Sequence, residues 1–322
     1  MVRDSLRNLV GPVIKVAAMA AASVAVIGGA LSFAFTPVPT TPNDFFIAGT
    51  QPGTLTTGLV SAVQCSFCHS DYDPDAAPYN RWAASMMGQA ARDPIFHAAL
   101  AIAQQDAANS GGTCLRCHSP GGFLAGRAVP TNGSALTGED FEGVSCSVCH
   151  RMVDPVHDAG VDPADDPAIL AAIVPAPLTE PHNGSYIIDP NDNRRGPYDL
   201  QADWANTSFG GWPGWHEFRK SPFHTDSRMC ATCHDVSLEH FSKQPDGRYL
   251  LNALNTPGPD KFEQYPEQRT YSEWAKSLFA QGPVDLNGRF GGSVGPAVSS
   301  CQDCHMPKAA AELCFFGDDR PD

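Results

Sequence analysis

The sequence predicts a mainly α-helical protein with extensive loops, and three observations predict it. The motif Cys-x-x-Cys-His occurs five times, Gly (29) and Pro (28) are abundant, and convincing strand alternation appears nowhere. The motifs are Cys65-Ser66-Phe67-Cys68-His69, Cys114-Leu115-Arg116-Cys117-His118, Cys146-Ser147-Val148-Cys149-His150, Cys230-Ala231-Thr232-Cys233-His234 and Cys301-Gln302-Asp303-Cys304-His305. Two thiols at this spacing reach the two vinyl groups of one porphyrin, and the adjacent His lies under the iron. Zinc sites need four ligands, so such pairs should come in twos. A disulfide framework has no need of His at the same place five times. The five motifs use ten of the eleven cysteines. They therefore predict five covalently bound haem c groups, with His69, His118, His150, His234 and His305 as proximal ligands.

Porphyrin then supplies apolar surface that Leu, Ile and Val provide elsewhere, and short helices wrap a packed haem chain. Such a fold should fail without haem. Residues 1–35 read as an export signal or an N-terminal anchor. Arg3, Arg7 and Lys15 are followed by an uncharged run from Val16 to Phe35, and Ser32-Phe33-Ala34 offers a cleavage site. Retained, residues 16–35 are long enough to anchor the chain in the cytoplasmic membrane. Either way the body is placed outside the cytoplasm, periplasmic or extracellular. Residues 36–57 read as a Pro/Thr/Gly-rich linker. Residues 58–322 read as one pentahaem body rather than two domains.

Within that body, Tyr79–Ala90 carries Tyr79, Trp82 and Met86 at helical spacing. Asp93 and Pro94 open a second helix to Ala108, with Phe96, Leu100 and Ala103 on one face. Arg151–Tyr198 is the most loop-like stretch, with one apolar run, Ala168–Val174. Tyr79-x-x-Trp82-Ala83-x-Ser85 recurs as Tyr271-x-x-Trp274-Ala275-x-Ser277, ahead of Cys114 and Cys301 respectively, and a looser Phe218-x-x-Ser221 precedes Cys230. The order reads as duplication of a haem-plus-helix unit; aromatic packing on porphyrin would also place such residues.

The net charge is −14, and beyond residue 35 the balance is 18 basic against 34 acidic side chains, or −16. Nucleic acid and anionic lipid are poor partners for such a surface. Exported or membrane-bound redox proteins fit it, as does acidity kept for solubility alone.

The sixth iron ligand decides between a closed electron carrier and an open, substrate-binding site. Six histidines lie outside the motifs: His224, His97, His157, His182, His216 and His240. Five closed sites need five. His224, six residues before Cys230, is the leading distal candidate. A backbone-satisfied core His is the alternative for His97, and a solvent-facing loop His for His182, His216 and His240. Met87 is a further candidate that would raise a potential, with soft packing on porphyrin as the alternative. Met306 reads as packing. Cys314 has no His at 315–318, so it forms no sixth haem motif; it reads as a buried free thiol, with a distal ligand or an intermolecular bridge as alternatives.

The repeated Cys-x-x-Cys-His, Tyr-x-x-Trp-x-x-Ser, Leu115-Arg116-Cys117-His118-Ser119-Pro120, Gly143-Val144-Ser145-Cys146 and Cys304-His305-Met306-Pro307 together resemble exported multihaem c-type cytochromes. The group named by these words is similar to the tetrahaem cytochrome that accepts electrons from hydroxylamine oxidation, over about 65–308. The resemblance implies a multihaem cytochrome c architecture, stacked haem pairs, mostly His/His ligation and electron transfer in respiration. It also implies a His two residues after the Trp-x-x-Ser serine, where this chain has Met87 and Phe279. The stop at Asp322 reads as a truncated gene or a short member whose last haem is thinly covered. Two other functions stay open. One is a haem enzyme acting on a small nitrogen or sulfur compound at one open iron, with His216 or His240 as proton donor. Against it, relatives of that kind mark the catalytic haem by Lys in place of the proximal His, and no motif here does so. The other is self-assembly as a subunit of an extracellular cytochrome filament.

Overall fold

The structure is a computed structural model, and it describes residues 36–199, 216–258, 260–289, 295–312 and 314–315. Helices α1 (Ala62–His69), α2 (Pro78–Ala83), α3 (Met86–Gln89), α4 (Pro94–Asp106), α5 (Gly111–His118), α6 (Pro120–Leu124), α7 (Cys146–His150) and α8 (Asp166–Ala171) come first. Strands β1 (Asn193–Gly196) and β2 (Glu217–Lys220) lead to α9 (Ser227–His234). Then come β3 (Val236–Lys243), β4 (Tyr249–Leu251), β5 (Gln264–Gln268), α10 (Thr270–Ala275), β6 (Val284–Asp285), β7 (Ala297–Val298) and α11 (Cys301–His305). The chain is mainly helical with extensive loops, as the sequence predicts. Residues from Pro39 onward cluster as one unit. The 1–35 segment lies outside the described residues. Among those described, no helix is long and apolar enough to cross a membrane.

The longest helix, α4, begins where the sequence predicts. The Asp93 carboxylate accepts from the Ile95 amide at 2.9 Å, and Pro94 fills the first turn, where no donor is needed. Phe96 and Leu100 are buried; Ala103 is half-buried, and the helix ends at Asp106 rather than Ala108. The helix expected over 79–90 is broken in two. Ser85 takes an extended conformation and its hydroxyl accepts from the Gly88 amide at 3.1 Å, capping α3 anew. A serine competes with the helix in this way because its side chain can serve the backbone itself.

Short strands also form, although no convincing alternation marks them in the sequence. β3 pairs antiparallel with β4 and β5, β1 lies parallel to β2, and β6 pairs with β7. No hydrophobic alternation announced β3 because its buried face is polar: Ser237 and Glu239 are covered, while Leu238 is half-buried. The 151–198 stretch is loop-like apart from α8 and β1, yet its Tyr186, Ile187 and Ile188 are each 1% exposed. Tyr186 and Ile188 join Leu124, Val148, Met152 and Phe223 in one apolar cluster, and Phe96, Leu100, Leu115, Ala128 and Leu136 form another. Ionic groups also lie in the interior, with Arg151, Arg195, Asp166 and Asp189 all fully buried.

Candidate haem-attachment centre

Each of the five motifs lies on a short helix that ends on the motif histidine: α1, α5, α7, α9 and α11. Helical pitch explains the spacing. Residues three and four apart share a face, so both thiols and the His project together. All cysteines among the described residues are reduced, as attachment requires.

Two proximal histidines are aimed by backbone. His150 Nδ1 lies 2.8 Å from the Arg195 carbonyl, and His118 Nδ1 lies 3.3 Å from the Ala90 carbonyl. Donation from Nδ1 leaves Nε2 as the metal-binding nitrogen, the usual outer arrangement of a ligating His. The His150 ring keeps accessible surface, yet desolvation pulls its pKa below the ordinary value. On these observations the residues fit a bound haem.

The motif helices are tied to one another. α1 is joined to the third motif: Glu142 accepts from the Ser61 hydroxyl and, at 2.8 Å, from the Ala62 amide, and Ser147 Oγ donates to the Val60 carbonyl at 2.7 Å. The Cys65 and Cys146 thiols share a hydrogen bond that holds Cys65 low and Cys146 high. Cys117 and Cys233 form a second such pair, joining motifs two and four. Cys230 and Cys301 form a third, joining motifs four and five. There the Cys301 amide donates to Ser227 Oγ at 3.0 Å and Gln302 to the Asp226 carbonyl at 2.9 Å. Motifs three and four meet through His224, Arg228 and Asp154: His224 Nε2 is 2.9 Å from the Cys149 carbonyl, and Arg228 pairs with Asp154 at 2.8 Å. Motif four therefore touches motifs two, three and five, while motif one touches motif three.

The repeat words have a common geometry. Trp82 Nε1 donates to the Val144 carbonyl and Trp274 Nε1 to the Ser299 carbonyl, both at 2.7 Å. Each acceptor stands two residues before the first Cys of a motif. The Ser85 and Ser277 hydroxyls each donate back to their Trp carbonyl at 2.7 Å. The first copy thus braces motif three, not motif two, which it precedes in sequence. Phe218, in the looser third copy, lies in strand β2 and builds no such unit. Met87 and Phe279 use their backbones alike: the Met87 carbonyl accepts from the Val144 amide at 3.0 Å and the Phe279 carbonyl from Ser299 Oγ at 2.7 Å.

Of the distal candidates, one meets a proximal His closely. His224 and His150 have ring centroids 5.8 Å apart and planes 14° apart. Burial first, then repulsion from His150, brings His224 down to about 3, so it is neutral and ligand-competent at neutral pH. His224 Nδ1 is buried without a partner among the described residues. His97 Nε2 is bound to the Ala91 carbonyl at 2.9 Å, the backbone-satisfied alternative, and the neighbouring Phe96 stacks on His118 with ring centroids 4.0 Å apart. His182 is buried, with Nδ1 at 2.8 Å from the Glu180 carbonyl. His240 is buried between Phe45 and Phe241 with Nδ1 unpartnered among the described residues. His157 is half-buried in its loop and His216 is exposed. Met87 is 38% exposed, Met306 is exposed, and Cys314 is buried.

Sequence reasoning missed Glu239. It is 1% exposed, 3.3 Å from Asn183 Nδ2, and acts electrostatically on Cys114 of motif two. Burial pushes its carboxyl from 4.5 up to about 8, with Glu267 adding to the rise. The unfolded chain thus loses this proton near 4.5 and the folded one near 8, so this group's contribution to stability falls as pH rises between those values. Glu239→Gln is expected to flatten that decline, measured by thermal unfolding across the same pH series.

Residues 64–151 match the family described as "Cytochrome c554 and c-prime", a span that takes in the first three motifs. No match was found among curated proteins. A penta-heme cytochrome c552 from Thermochromatium tepidum is similar at 19% identity and a TM-score of 0.39, over 78% of this chain. The match spans about half of that protein's chain, 54%. The first three motifs thus lie in a span similar to a family of c-type cytochromes, on helices whose thiols and imidazoles are set for covalently bound haem c.

Proposed function

We propose that this chain is an exported pentahaem cytochrome that carries electrons between redox proteins. One haem would be held at each of the five motifs, through the ten motif cysteines and their five proximal histidines. The observation that supports it is the contact pattern among the motif helices, which runs from motif one to three to four and branches there to two and five. Bound haem supplies a reversible ferric–ferrous couple. The residues of the chain hold these groups as neighbours, which is what single-electron transfer between them needs.

His150 and His224 are the best-supported axial pair, and their neutral imidazoles favour a closed, six-coordinate site. Motif five, whose Cys304 and His305 are exposed, is a natural point of contact with a partner. The resemblance of the motif words to the tetrahaem cytochrome that accepts electrons from hydroxylamine oxidation suggests a donor of that kind, and residues 1–35 would direct export or anchor the chain. Residues 36–57 would join that segment to the haem-bearing body while packing into it, since Ala48 and Thr50 are buried beside Arg116.

Pyridine haemochrome assay with intact mass is expected to give five haems per chain. Low-temperature electron paramagnetic resonance is expected to show low-spin signals that ignore added cyanide. Fewer than five covalent haems, or a cyanide-sensitive signal, would count against this reading.

A further inference from the structure

Arg116 is the third residue of the second motif and is 3% exposed. Every hydrogen-bond partner of its guanidinium is neutral. Nε donates to the Gly184 carbonyl at 2.5 Å, and Nη2 donates to the Ala48 and Thr50 carbonyls at 3.1 and 3.3 Å. The group also lies over the rings of Phe123 and Tyr186, at 4.7 and 5.2 Å. Among the described residues it has no carboxylate within 4.0 Å, whereas the buried Arg195 has Asp166 at 2.6 Å and Asp189 at 2.5 Å. Glu239 is an acid that acts on it from beyond ion-pair distance. Carbonyl oxygens and aromatic faces solvate a guanidinium but do not cancel its charge, and arginine keeps that charge throughout the accessible pH range.

The place of this charge is specific. Arg116 acts electrostatically on both Cys117 and Cys233, the thiols at which motifs two and four meet. Gly184 is pressed into the same junction. A Cβ there would come within 3.0 Å of the Arg116 side chain and 3.1 Å of Cys117 Sγ, and its φ of +77° is one that other residues rarely adopt. Attachment turns both thiols into neutral thioethers, so the positive charge stays. A fixed charge acts strongly in a low-dielectric interior. Beside a redox centre, a cation favours the reduced state, which carries one positive charge fewer.

We propose that Arg116 is an electrostatic tuning residue, whose uncompensated buried charge raises the reduction potentials of the haems held at motifs two and four above those they would otherwise have. Electrons entering the branched array would then settle at the two–four junction. The proposal rests on the reading that both motifs carry haem, and the haem count tests that separately.

The test is a spectroelectrochemical titration of the full holoprotein and three variants at mildly acid pH, where a lysine keeps its charge. Arg116→Gln is expected to shift two midpoints downward and leave the others unmoved. Arg116→Lys, which keeps the charge and loses the planar fork, is expected to leave all in place. Arg116→Met, which retains apolar packing on Phe123 and Tyr186, replaces the Gln variant if that protein does not mature. If neither neutral variant takes up haem, the Lys protein decides: unshifted midpoints sustain the proposal and lowered ones overturn it. Unmoved midpoints in a mature Gln or Met protein, or equal downward shifts in the Lys and neutral proteins, also overturn it. Too few haems in the unmodified protein would instead strike at the pentahaem reading.

Discussion

Replacing Cys230 and Cys233 together by alanine is expected to deplete folded cytochrome severely, while replacing Cys65 and Cys68 together leaves a folded protein one haem short. The two pairs have the same chemistry and differ in position. Motif four is in contact with motifs two, three and five, through the Cys117–Cys233 and Cys230–Cys301 thiols and through His224 on Cys149. Its helix is also deep: Ala231 is fully buried, Thr232 is 1% exposed, and the Thr232 carbonyl accepts from the Gly184 amide at 2.6 Å. Motif one is in contact with motif three, and its helix exposes Val63 at 61% and Phe67 at 67%. Where a bound group organises the fold, removing it removes folding free energy. A loss of even 1–2 kcal/mol changes the amount of folded protein by roughly several-fold. Haem per chain by pyridine haemochrome, with the midpoint of thermal unfolding, reads both outcomes. Equal yield and equal melting of the two double variants would remove motif four from the centre of the array.

That centrality was not legible in the sequence, and the reason is physical. The five motifs announced five thiol pairs and five imidazoles, because one covalent geometry demands them locally. Which motif neighbours which depends on contacts 80 or more residues apart, such as Glu142 with Ser61 or Ser147 with Val60. Hydropathy does not report these, since they are polar. The strand β3 escaped for the same reason: its covered residues are Ser237 and Glu239. The Tyr-x-x-Trp-x-x-Ser repeat was visible as words, and its meaning as a brace became clear only when Trp82 and Trp274 were found on equivalent carbonyls. Its first copy serves a motif later than the next one in the chain, so order along the sequence misassigned it. His224 was favoured from its place before Cys230, yet the proximal ring it approaches belongs to motif three. A chain that folds around porphyrin thus writes its cofactor chemistry locally and its wiring at long range.

Arg195→Leu is expected to cost on the order of 3–5 kcal/mol, because it strands two buried carboxylates. Arg195 is fully buried and holds Asp189 at 2.5 Å and Asp166 at 2.6 Å, both of which are also fully buried. Burial already lifts the Asp166 carboxyl above its usual range, with the Arg195 charge pulling the other way. Without that cation the lift grows, so Asp166 in the folded variant holds its proton to higher pH than in the unfolded chain. A folded pKa above the unfolded one means that stability is lost as pH rises through the interval between them. The variant should therefore be less damaged in mildly acid buffer than in neutral buffer, and adding Asp166→Asn should recover part of the loss at neutral pH. The same substitution reaches the proposed iron site, since the Arg195 carbonyl receives the His150 Nδ1–H at 2.8 Å. Leucine keeps that carbonyl, so a strand β1 that stays in place should leave the His150 haem spectrum unchanged. Denaturant unfolding at two pH values, followed by Soret absorbance and by circular dichroism, separates the two effects. A destabilisation that does not depend on pH would mean that lost packing, not stranded charge, is what Arg195 prevents.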